Sequence, residues 1–83
     1  MLAPGVTLPA LAAILAFGLS RNHPFIDGNK RVSLVASFTF LKINGHHIDA
    51  DLDETFSTFL GVADGTLNED ELIAWFTSHA KPD

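Results

Sequence analysis

The first twenty residues, Met1 to Ser20, contain no charged side chain. Such a stretch is a signal peptide, a membrane helix, or a helix that the rest of the protein covers. A signal peptide opens on a basic segment, and Met-Leu-Ala-Pro-Gly has none. A membrane helix needs roughly 20 uninterrupted apolar residues, whereas Pro4, Gly5 and Pro9 break this run early. The reading that remains is a helix from about Leu8 to Arg21, buried nearly all round. Thr7 can cap it and Pro9 is tolerated in its first turn. Leu8, Leu11, Leu15 and Leu19 recur at helical spacing, with Ile14, Phe17 and several alanines on other faces. A helix of this kind needs other helices around it.

The rest of the chain supplies them. Asn22 to Gly28 reads as a loop, because Pro24 disfavours helix at His23 and Asp27-Gly28-Asn29 has turn chemistry. A second helix is expected from about Asn29 to Ile43. Leu34, Phe38 and Leu41 form its stripe, widened by Val35, Ala36 and Phe40, and Asn44-Gly45 forms a left-handed stop. A third, roughly Leu52 to Ala63, carries Phe56, Phe59 and Leu60 and stops at Asp64-Gly65. The fourth starts at Asn68, with Glu71 three residues later in capping-box spacing. Its Leu72, Trp75, Phe76 and His79 share one face. No repeat, linker or low-complexity segment interrupts residues 1–83, so the expectation is one all-α domain of about four helices without strands. At 83 residues, a domain buries only about 60% of its unfolded surface.

Charge and composition narrow the function. Ten acids against five bases give a net charge of −5, which argues against general nucleic-acid binding. The chain has no cysteine, which removes disulfide frameworks and thiolate metal sites and fits a reducing cytoplasm. Asp49, Asp51 and Asp53 alternate like a calcium-loop opening, but the sixth and twelfth positions of that loop hold Glu54 and Leu60. They read as acids gathered near a helix start. His46 and His47 have no spaced third ligand and read as solvated loop residues. His79 is placed to meet the dipole of its helix end. Trp75, Phe56 and Phe59 read as core, since no bases interleave with them as they would on a base-stacking platform.

One segment carries chemistry: His23-Pro24-Phe25-Ile26-Asp27-Gly28-Asn29-Lys30-Arg31. It holds an imidazole, a carboxylate four positions on, a Gly-Asn pair and two adjacent cations at a helix start. Such a start attracts anions through its unpaired N–H groups and positive dipole end. Lys30 and Arg31 would add full charges, Asp27 could hold Mg²⁺ against phosphates, and His23 could act as a general base. Gly28 and Asn29 would offer backbone N–H groups to a phosphate. Phe25 and Ile26 fit a structural role, anchoring the loop in the core. A cationic spot on an acidic protein suggests a specific anion.

The segment resembles the signature of the Fic/Doc (Fido) family, H-x-F-x-[D/E]-x-N-x-R, met here as HPFIDGNKR. Lys30 stands where the adenylylating Fic branch usually has Gly, and Leu34 where that branch usually has a second Arg. Both resemble the death-on-curing (Doc) toxin branch. The flanking "GLSRN", "FLKINGHHIDAD" and "VADGTLNEDELIAWFTSH" extend the likeness from about Leu8 onward. The resemblance implies a Fido-type helical bundle and ATP-dependent phosphoryl transfer to a hydroxyl of a target protein, elongation factor Tu in the Doc branch. His23 would be catalytic, Asp27 would bind Mg²⁺, and Gly28, Asn29, Lys30 and Arg31 would hold the nucleotide. AMP transfer, as in Fic proteins, is the alternative chemistry, and a non-catalytic helical module is the alternative class. Only 22 residues precede His23, so the family's target-aligning flap is expected to be missing and the chain to be N-terminally truncated. The family's autoinhibitory pattern, [S/T]-x-x-x-E-[G/N], does not occur in the sequence, so inhibition would come from an antitoxin resembling Phd. The apolar first helix, through Leu8, Leu11, Leu15 or Phe17, is expected to support a homodimer.

Overall fold

The computed structural model describes residues 6–21 and 26–83, with side chains from residue 31 onward in the second segment. Four helices carry the described chain: α1 (Leu8–Arg21), α2 (Ile26–Ile43), α3 (Leu52–Asp64) and α4 (Glu69–His79). Two three-residue strands, β1 (His46–Ile48) and β2 (Ala80–Pro82), pair antiparallel with His47 opposite Lys81. The protein is a small all-α bundle with this ribbon at one side, consistent with the Fido-type bundle that the resemblance implies. No described helix is long and apolar enough to cross a membrane.

α1 begins where the capping argument puts it, with Thr7 Oγ1 accepting from the Ala10 N–H at 3.2 Å. It packs most extensively on α2 and next on α4. Its fully buried positions are Ala12, Ala13 and Ala16, while Ile14 and Leu15 are exposed. The expectation of burial all round is therefore corrected. Alanine lets neighbouring helix backbones approach closely, so the small residues line the contact and the larger ones are displaced from it. Leu8 and Phe17 pack partly buried against the core.

α2 starts at Ile26, three residues earlier than the sequence suggested. Asp27, Gly28 and Asn29 are helical and do not form a turn. An acid in the first helical turn is favoured by the dipole, so Asp27 serves a helix start as well as a turn. The far end follows expectation: Gly45 has φ 78°, and the Asn44 side-chain amide donates to the Phe40 carbonyl at 2.8 Å.

Asp51 caps α3, its carboxylate accepting the Glu54 N–H at 2.7 Å. Gly65 ends the helix with φ 86°. The alternating aspartates thus serve a helix start, and no group of three potential ligands gathers among the described residues. Asn68 and Glu71 form the full reciprocal capping box of α4, at 2.8 and 2.9 Å. The strands were not expected. Each is three residues long, too short for alternation to show, and their pairing joins residues far apart in the chain, His46 with Pro82 and Ile48 with Ala80.

The core holds Ala12, Ala13, Ala16, Leu41, Phe59, Val62, Leu72 and Phe76. Phe38 meets Phe59 and Phe76 edge-on at 6.1 and 6.2 Å, a favourable aromatic geometry. Trp75 stands edge-on to Phe59 and Phe76. Phe56, assigned to the core with them, is 59% exposed. α3 turns Thr55, Phe59 and Val62 inward, which carries Phe56 and Leu60 to the outside.

Candidate functional site

The start of α2 is where the chemistry-bearing segment meets regular structure. With Ile26 as the first helical residue, the backbones of Asp27, Gly28 and Asn29 occupy the opening turn. The first four N–H groups of an α-helix have no carbonyl partner inside it. An anion beyond the end meets these donors together with the positive end of the dipole. Lys30 follows them in the helix, and Arg31 is exposed at the next position. His23 and Phe25 lie outside the described residues, as do the side chains of Asp27, Asn29 and Lys30.

Behind this helix start lies a buried polar seam. Ser20, in the last turn of α1, donates to Ser33 Oγ at 2.8 Å, two residues beyond Arg31. Ser37 donates to the Ser33 carbonyl at 2.7 Å and approaches the Leu34 carbonyl at 3.2 Å. All three serines are buried. Ala12, Ala16 and Ser20 recur four apart on α1, as do Ser33, Ser37 and Leu41 on α2. The alanines and serines of these rows allow a close approach, and the hydroxyl bond sets the helices in register. Sequence reasoning missed the serines because it sought only apolar stripes. The four-residue repeat of small residues was the available signal.

The neighbouring charges are arranged for structure. Arg21, at the end of α1, lies over the Phe17 ring with its guanidinium carbon 5.6 Å from the centroid. Leu34, the position at which a second arginine would extend the site, packs against the core.

A separate depression of about 330 Å³ is lined by Phe38, Thr39, Lys42, His46, His47 and Ile48. Lys42 lies eleven residues beyond Arg31, about 16 Å along the helix, so the depression belongs to the ribbon and not to the helix start. His46 and His47 occupy β1, where adjacent side chains point to opposite faces, and so do not converge. His46 Nδ1 is 3.0 Å from the Asn44 carbonyl. His47 Nδ1 is 2.9 Å from Asp83, which also meets Lys42 Nζ at 3.3 Å. The bond from His47, supported by Lys42, holds the Asp83 carboxyl below its ordinary range.

The family comparison falls on this first half of the chain. The model of the Fic/DOC family matches residues 4–41. The Toxin Doc of Mycolicibacterium smegmatis is 52% identical over 42 residues, which make up 51% of this chain and 32% of that protein. The similarity thus spans about a third of the relative's length. No solved structure matches significantly. The family match takes in α1, HPFIDGNKR and α2 as far as Leu41, the two helices locked by the serine seam and the segment between them. On that match and its signature, residues 4–41 of the chain are of the Fic/DOC type.

Proposed function

We propose that this chain carries the phosphate-handling centre of a Doc-like toxin, which transfers a phosphoryl group from ATP to a hydroxyl of a target protein. The observation that carries the reading is the position of HPFIDGNKR, whose last six residues form the first turns of a helix pinned to its neighbour from behind.

Phosphoryl transfer asks a protein chiefly for positioning and charge neutralisation. The backbone N–H groups of Gly28 and Asn29 bind phosphate oxygens. Arg31 grips them through its charged fork, and Lys30 adds a point charge. Phe25 anchors the segment. His23 accepts the proton of a Ser, Thr or Tyr hydroxyl as its oxygen bonds to the γ-phosphorus. The bond from that phosphorus to the bridging oxygen breaks, and ADP leaves. Asp27, the one carboxylate of the segment, would hold a magnesium ion, which when bound would neutralise phosphate charge. Lys30 and Leu34 favour phosphoryl over AMP transfer, as the resemblance to the Doc branch implies. Elongation factor Tu is the target proposed on the same ground, an antitoxin resembling Phd the regulator, and the cytoplasm the place of action.

The test supplies the chain with Mg²⁺, purified elongation factor Tu, and ATP labelled on either its γ- or its α-phosphate. Label from the γ-position should reach the target, and His23→Ala should slow transfer about 10²–10⁴-fold. Transfer of the α-label would replace phosphorylation by AMP transfer. Transfer of neither would leave a helical binding module.

A further inference from the structure

α3 presents an apolar stripe that the bundle does not use. Leu52, Phe56 and Leu60 are 72%, 59% and 50% exposed. Four-residue spacing sets them one above another on one face, over about 12 Å of helix. The inward residues of this helix are Thr55, Phe59 and Val62, so the stripe lies apart from the core contact. Single exposed leucines are ordinary, but an aligned row of large apolar side chains marks an interaction surface.

The charges around the stripe define its occupant. Eight of the ten acids lie between residues 49 and 71: Asp49, Asp51, Asp53, Glu54, Asp64, Glu69, Asp70 and Glu71. No lysine or arginine occurs in that span. Asp53 follows Leu52 directly, and Asp64 stands four residues beyond Leu60, so acids bracket the stripe at both ends. A two-fold pairing of α3 with a second copy would bring this acidic surface against itself, at a like-charge cost. A helix with apolar residues on one face and Lys or Arg beside them meets both features at once.

We propose that the outer face of α3 docks a basic amphipathic helix of another protein, with Leu52, Phe56 and Leu60 as the apolar contact and the surrounding acids selecting the partner's charge. The surface lies wholly beyond the segment matched to the Fic/DOC family, which ends at residue 41. It stands or falls independently of the phosphoryl-transfer reading.

The experiment titrates the isotope-labelled protein with three synthetic peptides, following backbone amides by NMR. The first is a helix with leucine along one face and lysine elsewhere. The second replaces lysine by glutamate, and the third scrambles the first so that no apolar face forms. The first peptide should bind at least tenfold tighter than either control, with shifts centred on Leu52 to Leu60. Phe56→Ser should weaken it at least tenfold without changing the circular dichroism, since that side chain lies outside the core. Leu60→Ser serves the same purpose should the first variant unfold. Equal binding of the three peptides, shifts centred elsewhere, or unchanged affinity in the folded variant would overturn the proposal. So would a dimer in light scattering that Phe56→Ser dissolves, because the stripe would then belong to a second copy.

Discussion

Ser20 donates a 2.8 Å hydrogen bond to Ser33, joining the last turn of α1 to the second turn of α2 where both side chains are buried. The bond lies just behind the helix start that the nucleotide reading depends on. Ser33→Leu adds volume to a fully buried position and should cost about 1–3 kcal/mol through overpacking. Ser33→Ala, which removes only the hydroxyl, should cost about 1 kcal/mol. Urea denaturation of the two variants checks the order. If overpacking tilts α2, the leucine variant should also lose ATP affinity.

Glu54 ties the opposite end of the bundle. One of its carboxylate oxygens accepts the Trp75 indole N–H at 2.9 Å and lies 2.7 Å from His79 Nε2. The His79 ring stacks on Trp75 with centroids 4.7 Å apart, and its Nδ1 faces the Trp75 carbonyl at 2.8 Å. Both partners of the ring are acceptors. Glu54→Ala should destabilise the protein by about 1 kcal/mol, the site being partly open to water. It should also shift the Trp75 fluorescence of the folded state. A variant with wild-type stability and emission would remove this contact from the account.

The ribbon should respond to acid. Asp83 has a carboxyl held below its ordinary range, first by the bond from His47 and then by Lys42. A carboxylate lowered in the folded state contributes stability above its unfolded value, about 3.9, and loses it as pH falls through the lower folded value. The contact should therefore persist at neutral pH and fail below about pH 4. The Asp83 N–H donates to the Gly45 carbonyl at 2.8 Å, so its amide resonance reports the ribbon directly. That resonance should shift toward its unfolded position across the acid range, and Asp83→Asn should remove this pH dependence. A resonance that stays fixed through the range would break the link between charge and pairing.

Much of this fold was legible because the signals were local. Asn68 with Glu71, Gly65 and Gly45 each act within a few residues of their own backbone, and all three helix boundaries followed. The β1–β2 pairing was not legible because its cause lies in tertiary proximity, with nothing in His46–Ile48 itself to announce a strand. Phe56 was misplaced because Phe56, Phe59 and Leu60 fit helical spacing in more than one combination, and only packing chose Phe59. Ser33 was passed over because only apolar stripes were sought, yet a hydroxyl is acceptable in a core when another hydroxyl meets it. The HPFIDGNKR segment was legible for a different reason: its residues are contiguous, so their chemistry could be read before any packing was known. The earlier start of α2 was hidden in Asp27-Gly28, which suits a turn and a first helical turn alike.

The central claim is that the start of α2 binds nucleotide phosphate, and calorimetric titration with ATP and Mg²⁺ tests it most directly. Arg31 is exposed, so Arg31→Ala should leave the fold intact by circular dichroism. The account predicts one binding site per chain, weakened at least tenfold, about 1.4 kcal/mol, in the variant. Equal affinity in the two proteins, or no binding by either, would contradict it.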